Sequence, residues 1–269
     1  MLLAPHPTGS PPPSRVFRAP RRTECRQWSG GTVRVLELDH DLLEGLDAQS
    51  TAAARAHAVA TTMMLDTGHW TPPDAARCER VLGLLVLDGL IARCVTINGV
   101  ACPELLGQGD VLRPWEQRAE LASRQVPTSW RVLKPVTLAV LGARFVETAR
   151  RWPSISTALL ARSVERSRWL ALQMAVPQMR RADDRLRLLF EYLAARWGRV
   201  TPHGVVLPLP LTNQLLAQLT CLRRPTVSST MTRFAETGEI VRRPGTGFLL
   251  NLAEDLAEAG PDASVRSAA

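Results

Sequence analysis

The sequence predicts an α+β chain in which an antiparallel β-roll leads into helices and then a winged helix-turn-helix. Three observations carry that expectation. Short apolar runs broken by turns fill 82–141, the periodicity becomes helical after Gly142, and a basic helical pair followed by a hairpin closes 180–250. At 269 residues the chain has room for one large or two ordinary domains.

Taken in order, residues 1–30 carry Pro5, Pro7, Pro11-Pro12-Pro13 and Pro20 among arginines. Such a stretch buries no core and is expected to be a disordered basic leader. A short strand is expected at 33–39 and a helix from Asp41 to about Ala60, through the run Ala52-Ala53-Ala54. The segments 84–94, 95–97, 104–106, 111–112, 129–133 and 137–141 are expected strands. Asp88-Gly89, Asn98-Gly99 and Gly107-Gln108-Gly109-Asp110 are their breaks, and Asn-Gly between apolar runs is the strongest short hairpin signal. Regular turns between short strands indicate a small barrel or roll over 31–142.

Two helices follow over 143–152 and 153–176, with Pro153 at a permitted first-turn position. Trp169, Leu172, Val176 and Met179 fall at spacings of 3 and 4 and form one apolar stripe. Either the stripe packs against its own domain or it is a seam between two copies, and Arg162 and Arg166 interrupt it upstream. The helical linker spans 143–179.

The unit 180–252 opens with a helix whose positions Leu186, Leu189, Phe190 and Leu193 share a face, ended by Gly198. Thr212 is a good N-cap for the next helix, and Ala217 is small enough for a close helix crossing. A tight connection leads to a second helix near Pro225. There Val227, Met231 and Phe234 face inward, while Arg224, Thr226, Ser228, Ser229, Thr232 and Arg233 remain outside. Arginine pairs with guanine edges, and hydroxyls and helix-start amides reach phosphates. Thr212, Arg223, Arg224, Thr226, Ser228, Ser229, Thr232 and Arg233 are therefore the candidate DNA contacts. Arg242 and Arg243 join them beside the hairpin tip Pro244-Gly245-Thr246, a "wing" on the phosphate backbone. Residues 253–269 are expected to be a frayed tail.

Charge agrees with this placement. The formal charge is +8, and Lys134 is the only lysine. Between Arg180 and Leu250 lie 11 arginines against 5 acids, a surplus of six. Concentrated positive charge is what counterion-release binding to DNA uses. Other classes are disfavoured. No apolar run of 18 residues predicts a membrane helix, and Met1-Leu2-Leu3-Ala4 gives way at once to prolines and arginines, unlike a secretory leader. Cys25, Cys78, Cys94, Cys102 and Cys221 are scattered, and His6, His40, His57, His69 and His203 form no ligand pair, so no metal or other cofactor is expected. Reduced thiols fit a cytoplasmic protein. No catalytic motif appears, and the chain is expected not to be an enzyme.

Two stretches resemble the Crp/Fnr superfamily of bacterial transcription regulators, the cyclic-AMP receptor protein family. Leu209-Pro210-Leu211-Thr212-Asn213-Gln214-Leu215-Leu216-Ala217-Gln218-Leu219, continuing through Arg224-Pro225-Thr226-Val227-Ser228, is similar to its helix-turn-helix signature. Leu84-Leu85-Val86-Leu87-Asp88-Gly89-Leu90-Ile91 and Gly107-Gln108-Gly109-Asp110 are similar to turns of its cyclic-nucleotide-binding roll. The resemblance covers about 80–250. It implies a cyclic-nucleotide-binding-like roll, a homodimer through the helix at 153–179, and an inverted-repeat operator read by the winged domain. It also implies RNA polymerase as a possible partner and an effector that remains unknown. Ser229 stands where cyclic-AMP-dependent members commonly carry a second arginine, and Pro225 replaces an acid, so a different operator is expected. The roll reads Arg113-Pro114-Trp115-Glu116 and Val126-Pro127 where nucleotide binders carry Gly-Glu and Arg-Ser, which argues against cyclic AMP. Trp115, Arg124, Trp130 and Arg131 are the candidate effector pocket, with Trp70 beside them or all three tryptophans in the core. The rival class is a small-molecule- or protein-binding module whose DNA face is masked or unused.

Overall fold

The structure, a computed structural model, describes residues 30–73, 81–116, 120–121, 124–125, 127–245 and 247–251. The expected leader apart from Gly30, the expected tail, Cys25, Cys78, Val126 and Thr246 lie outside the described residues. The first half is a seven-stranded antiparallel sheet with a separate two-stranded hairpin. Its elements are β1 (Thr32–Arg34), α1 (Val35–Leu38), α2 (Ala48–His57), β2 (Val59–Leu65), β3 (Gly68–Trp70), β4 (Leu84–Ile97), β5 (Val100–Gly107), β6 (Val111–Leu112), β7 (Glu120–Leu121), β8 (Arg124–Gln125) and β9 (Thr128–Val140). The order is β1-β2-β9-β4-β5, with β3 on β9 and β6 on β4, and β7 pairs β8 apart from them.

Several strands differ from the sequence expectation. Asp88-Gly89 is not a break. β4 runs through it with shifts of register against β9, and Gly89 sits at φ 100° with Pro135 O so close that a Cβ would meet it at 2.2 Å. The chain bulges there, and glycine permits the approach. β9 likewise joins two expected strands across Pro135. The expected strand at 33–39 gives way at Val35 to a helical turn that buries Val35 and Leu36, and the helix begins at Ala48, where Asp47 caps Ser50 N–H. Periodicity over 59–70 was hidden by the preceding alanines, yet β2 and β3 lie there. Asn98-Gly99 is the turn expected: Ile97 pairs Val100, and both turn residues have positive φ.

α3 (Ala143–Arg151) and α4 (Pro153–Ala175) then cross to the second half. Ile155, Leu159, Arg162, Arg166 and Trp169 make the inner face of α4. Arg162 forks onto Asp39, with two bonds of 2.5 Å, and Arg166 forks onto Glu104 at 2.5 and 3.0 Å. The two arginines that interrupt the apolar stripe are thus part of the inner face itself. Trp169 is buried and stacked on Tyr192, Val176 is buried, and Leu172 packs on the same cluster. That stripe packs inside its own chain. The opposite side of α4 bears Leu160 and Met174, 64% and 76% exposed, with Val164 between them.

α5 (Ala182–Trp197), β10 (Arg199–Thr201), β11 (Gly204–Leu207), α6 (Asn213–Thr220), α7 (Arg224–Thr237), β12 (Ile240–Arg243) and β13 (Gly247–Leu250) complete the fold, with strand order β10-β11-β13-β12. Leu90, Ala92 and Leu105 of the roll belong to the same core as Leu186, Phe190, Leu207 and Leu211. Arg196 of α5 pairs with Asp110 at 2.5 Å, and the Trp197 ring covers Gly107 so closely that a Cβ would sit 2.9 Å from it. Gly107 N–H donates to Asp110 Oδ2 at 2.8 Å, so the Gly-x-Gly-Asp turn itself aims the carboxylate. Burial pushes the Asp110 carboxyl above its ordinary range even with Arg196 against it.

Candidate nucleic-acid interface

Sequence dictates the helical pair locally. Thr212 Oγ1 accepts the Leu215 N–H at 3.2 Å and starts α6, as its N-cap position requires. Cys221 ends α6 in the left-handed region, φ 53°, and lets the Cys221 and Leu222 amides return to Ala217 O. Arg185 of α5 donates to the carbonyls of Met179, Thr220 and Cys221 and so braces the turn from behind. Pro225 occupies the first turn of α7, where its missing N–H costs nothing. Val227, Thr230, Met231 and Phe234 are the buried face, and Gly238 at φ 74° closes the helix.

The opposite face is free. Arg224, Thr226, Ser228, Ser229, Thr232 and Arg233 are all exposed, as are Arg223 and Thr212 beside them. Among the described residues, Arg223, Arg224 and Arg243 carry no ion pair or side-chain hydrogen bond. The Ser229 and Thr232 hydroxyls donate to Thr226 O and Ser228 O, which leaves their oxygens able to accept. Arg233 is committed elsewhere. Its guanidinium meets Asp183 at the start of α5, and Thr230, not singled out in the sequence, reaches the same carboxylate at 3.4 Å. Asp183 and Asp184 stand in the first turn of α5, where negative charge suits the helix dipole.

The two wing arginines also divide. Arg242 is exposed but lies across Phe248, 4.6 Å from the ring centre, where it donates to Leu211 O and Asn213 Oδ1 at 2.9 Å each. Arg243, opposite Gly247, points to solvent. Arg187 pairs Glu239 at 2.5 Å and ties α5 to the root of the wing, which holds its guanidinium more firmly protonated. The unit's eleven arginines therefore divide into braces (Arg185, Arg187, Arg196, Arg233, Arg242) and exposed cations that carry no ion pair or side-chain hydrogen bond among the described residues (Arg180, Arg181, Arg199, Arg223, Arg224, Arg243).

The expected effector group does not assemble. Trp130 is 4% exposed and meets Trp70 edge to face at 5.5 Å, and Trp115 packs on the same cluster with Leu106, Leu112 and Val136. Tryptophans fill the inside of the roll. Arg131, the next residue along β9, necessarily faces the other way and is exposed. Arg124 lies in β8, and its side chain is outside the described residues. Among the described residues no group of three or more His, Cys, Asp or Glu side chains is placed to hold a metal, and no helix is long and apolar enough to cross a membrane.

Residues 185–259 match the Crp-like helix-turn-helix domain. A CooA mutant from Carboxydothermus hydrogenoformans is similar over 87% of this chain and 98% of its own, with a TM-score of 0.56 at 17% identity. FixK2 from Bradyrhizobium japonicum is similar over 74% of this chain and 96% of its own, with a TM-score of 0.54 at 14% identity. A cyclic nucleotide-binding domain containing protein from Listeria monocytogenes is similar over 70% and 88%, with a TM-score of 0.55 at 15% identity. At these identities the likeness is one of fold. No curated protein matches the chain.

Proposed function

We propose that the chain, which carries a Crp-like helix-turn-helix domain and shares its fold with CooA and FixK2, is a regulator of the Crp/Fnr type that controls transcription by binding a specific DNA sequence. One observation carries the reading: α7 buries one side and leaves Arg224, Thr226, Ser228 and Ser229 on the other, with the unpaired Arg223 and Arg243 flanking them. A helix of that make fits a major groove, with Arg224 on base edges, the Thr226 and Ser228 hydroxyls donating to phosphates or bases, and the Ser229 oxygen accepting from a base. Thr212, at the α6 N-cap, lies where a first helix meets the DNA backbone. The protein acts in the cytoplasm by binding, not by catalysis.

The operator-bound form is a homodimer. The exposed side of α4 supports this, since Leu160 and Val164, four residues apart, and Met174, ten residues further on, share one side of a long helix, and exposed apolar side chains on one helix face ask for a partner helix. Two copies related by a two-fold axis read an inverted repeat. Cyclic AMP is not the effector. Trp70 and Trp130 occupy the roll interior, and its inward face presents no arginine free to meet a cyclic phosphate among the described residues, because Arg93 is spent on Glu104 at 2.7 Å.

Selection of bound duplexes from a random-sequence pool by the full chain tests the reading. Enrichment of an inverted repeat with half-site centres about 34–36 Å apart is expected. Recovery of unenriched sequence at moderate salt overturns it.

A further inference from the structure

Trp70 and Trp130 pack inside the roll, and a cleft opens on its outside. Between the outer face of β4, β5 and β9 and the start of α6 lies a cleft of about 580 Å³, the size of an ordinary small-molecule site. Ala92, Pro103 and Leu133 form one wall and Leu215 faces them from α6, so much of the surface is apolar. Ser129, Thr212, Gln214 and Gln218 supply hydrogen-bonding groups around it. Among the described residues its one cation is Arg131, which carries no ion pair or side-chain hydrogen bond, and no Asp or Glu lines the cleft.

The walls are fixed rather than casually apposed. Leu90, Ala92 and Leu105 of the roll continue into the core of the winged unit beside the cleft. The Asp110–Arg196 pair and the Trp197 ring over Gly107 hold the same two units together. The cavity is therefore built into the docked arrangement. An unpaired guanidinium at the edge of an apolar cleft, with amides and hydroxyls across from it, selects an anionic head and an apolar body.

We propose that this cleft binds a small amphipathic organic anion, its charged head on Arg131 and its apolar part between Leu133 and Leu215. The ligand touches both walls, so it binds only while the winged unit is docked on the roll and shifts the population toward that state. The inference rests on the regulator reading for this consequence alone, because binding itself is measured without DNA.

Anilinonaphthalene sulfonate, an amphipathic aromatic anion that fluoresces when shielded from water, is the probe. It is titrated into the full chain and into the variants Arg131→Glu and Gln218→Trp, with circular dichroism melts to verify their folding and affinity for the selected operator measured separately. One site per chain is expected in the wild type, weakened about tenfold or more by either variant. Absence of a wild-type site, or unchanged affinity in both folded variants, overturns the proposal. Loss in Gln218→Trp alone overturns the anionic head. Operator affinity reports on the regulator reading independently of these outcomes.

Discussion

Single residues separate two kinds of arginine that the sequence presents as equals. Arg242 braces Leu211, Asn213 and Phe248, whereas Arg243 is unpaired. Arg243→Ala is expected to weaken binding to every duplex alike and to lower the slope of log affinity against log salt by about 1, measured by anisotropy titration. Arg242→Ala is expected instead to lower the stability of the winged unit by about 1 kcal/mol, read from thermal unfolding. Reversed effects would put the wrong arginine on DNA. Cys221 holds a left-handed backbone that glycine adopts without steric cost. Cys221→Gly should therefore raise the melting temperature, by about 1 kcal/mol of stability, and a lower melting temperature would show that the thiol contributes packing. The exposure of the candidate residues on α7 was legible because a hydroxyl-and-arginine face alternates with Val227, Met231 and Phe234 at helical spacing. Thr230 and the commitment of Arg233 to Asp183 were not legible, since they depend on α5 packing beside α7.

At the scale of elements, α4 shows why a stripe alone does not identify an interface. Its sequence contains two faces, and the one with the larger side chains, through Trp169, packs into its own chain. Arg162 and Arg166 mark that side through their partners Asp39 and Glu104, which lie more than 60 residues away and carry no local signal. The outward side bears Leu160 and Val164, and Leu160→Glu with Val164→Glu is expected to convert a dimer into a monomer in analytical ultracentrifugation while leaving the melt of the chain intact. A dimer that survives both changes would remove α4 as the seam. Trp169→Ala, on the inward side, should cost about 3–5 kcal/mol of stability. In the roll, Asn98-Gly99 declared its hairpin because both positions need positive φ. Asp88-Gly89 carries equal turn chemistry but forms a bulge, because β9 continues alongside β4 and keeps the ladder in place.

The whole molecule is joined at Asp110 and Arg196, one on the roll and one on α5. Asp110 is 2% exposed, and burial, larger than the opposing pull of Arg196, raises its carboxyl above the ordinary 3.8. A carboxyl raised on folding contributes stability that is present in acid and lost as the pH climbs through its folded value. Arg196→Met leaves that carboxylate buried and unpaired, so a loss of about 3 kcal/mol is expected at neutral pH. The loss should shrink as acidification protonates Asp110, in melts recorded from neutral pH down toward the carboxylate range. A pH-independent loss would mean that Arg196 acts through packing alone. The helix-turn-helix and the roll were both legible from turns and periodicity, but their docking was not, because Leu90, Ala92 and Leu105 read as ordinary roll residues until α5 and α6 cover them. The proposed reading of DNA depends on the α7 face staying outside this docked core. Titration of the selected operator with wild-type chain and with Arg224→Ala measures this directly. Specific affinity should fall about tenfold to hundredfold while affinity for random duplex changes little; equal affinity of the two proteins for the operator would contradict a role for α7 in reading DNA.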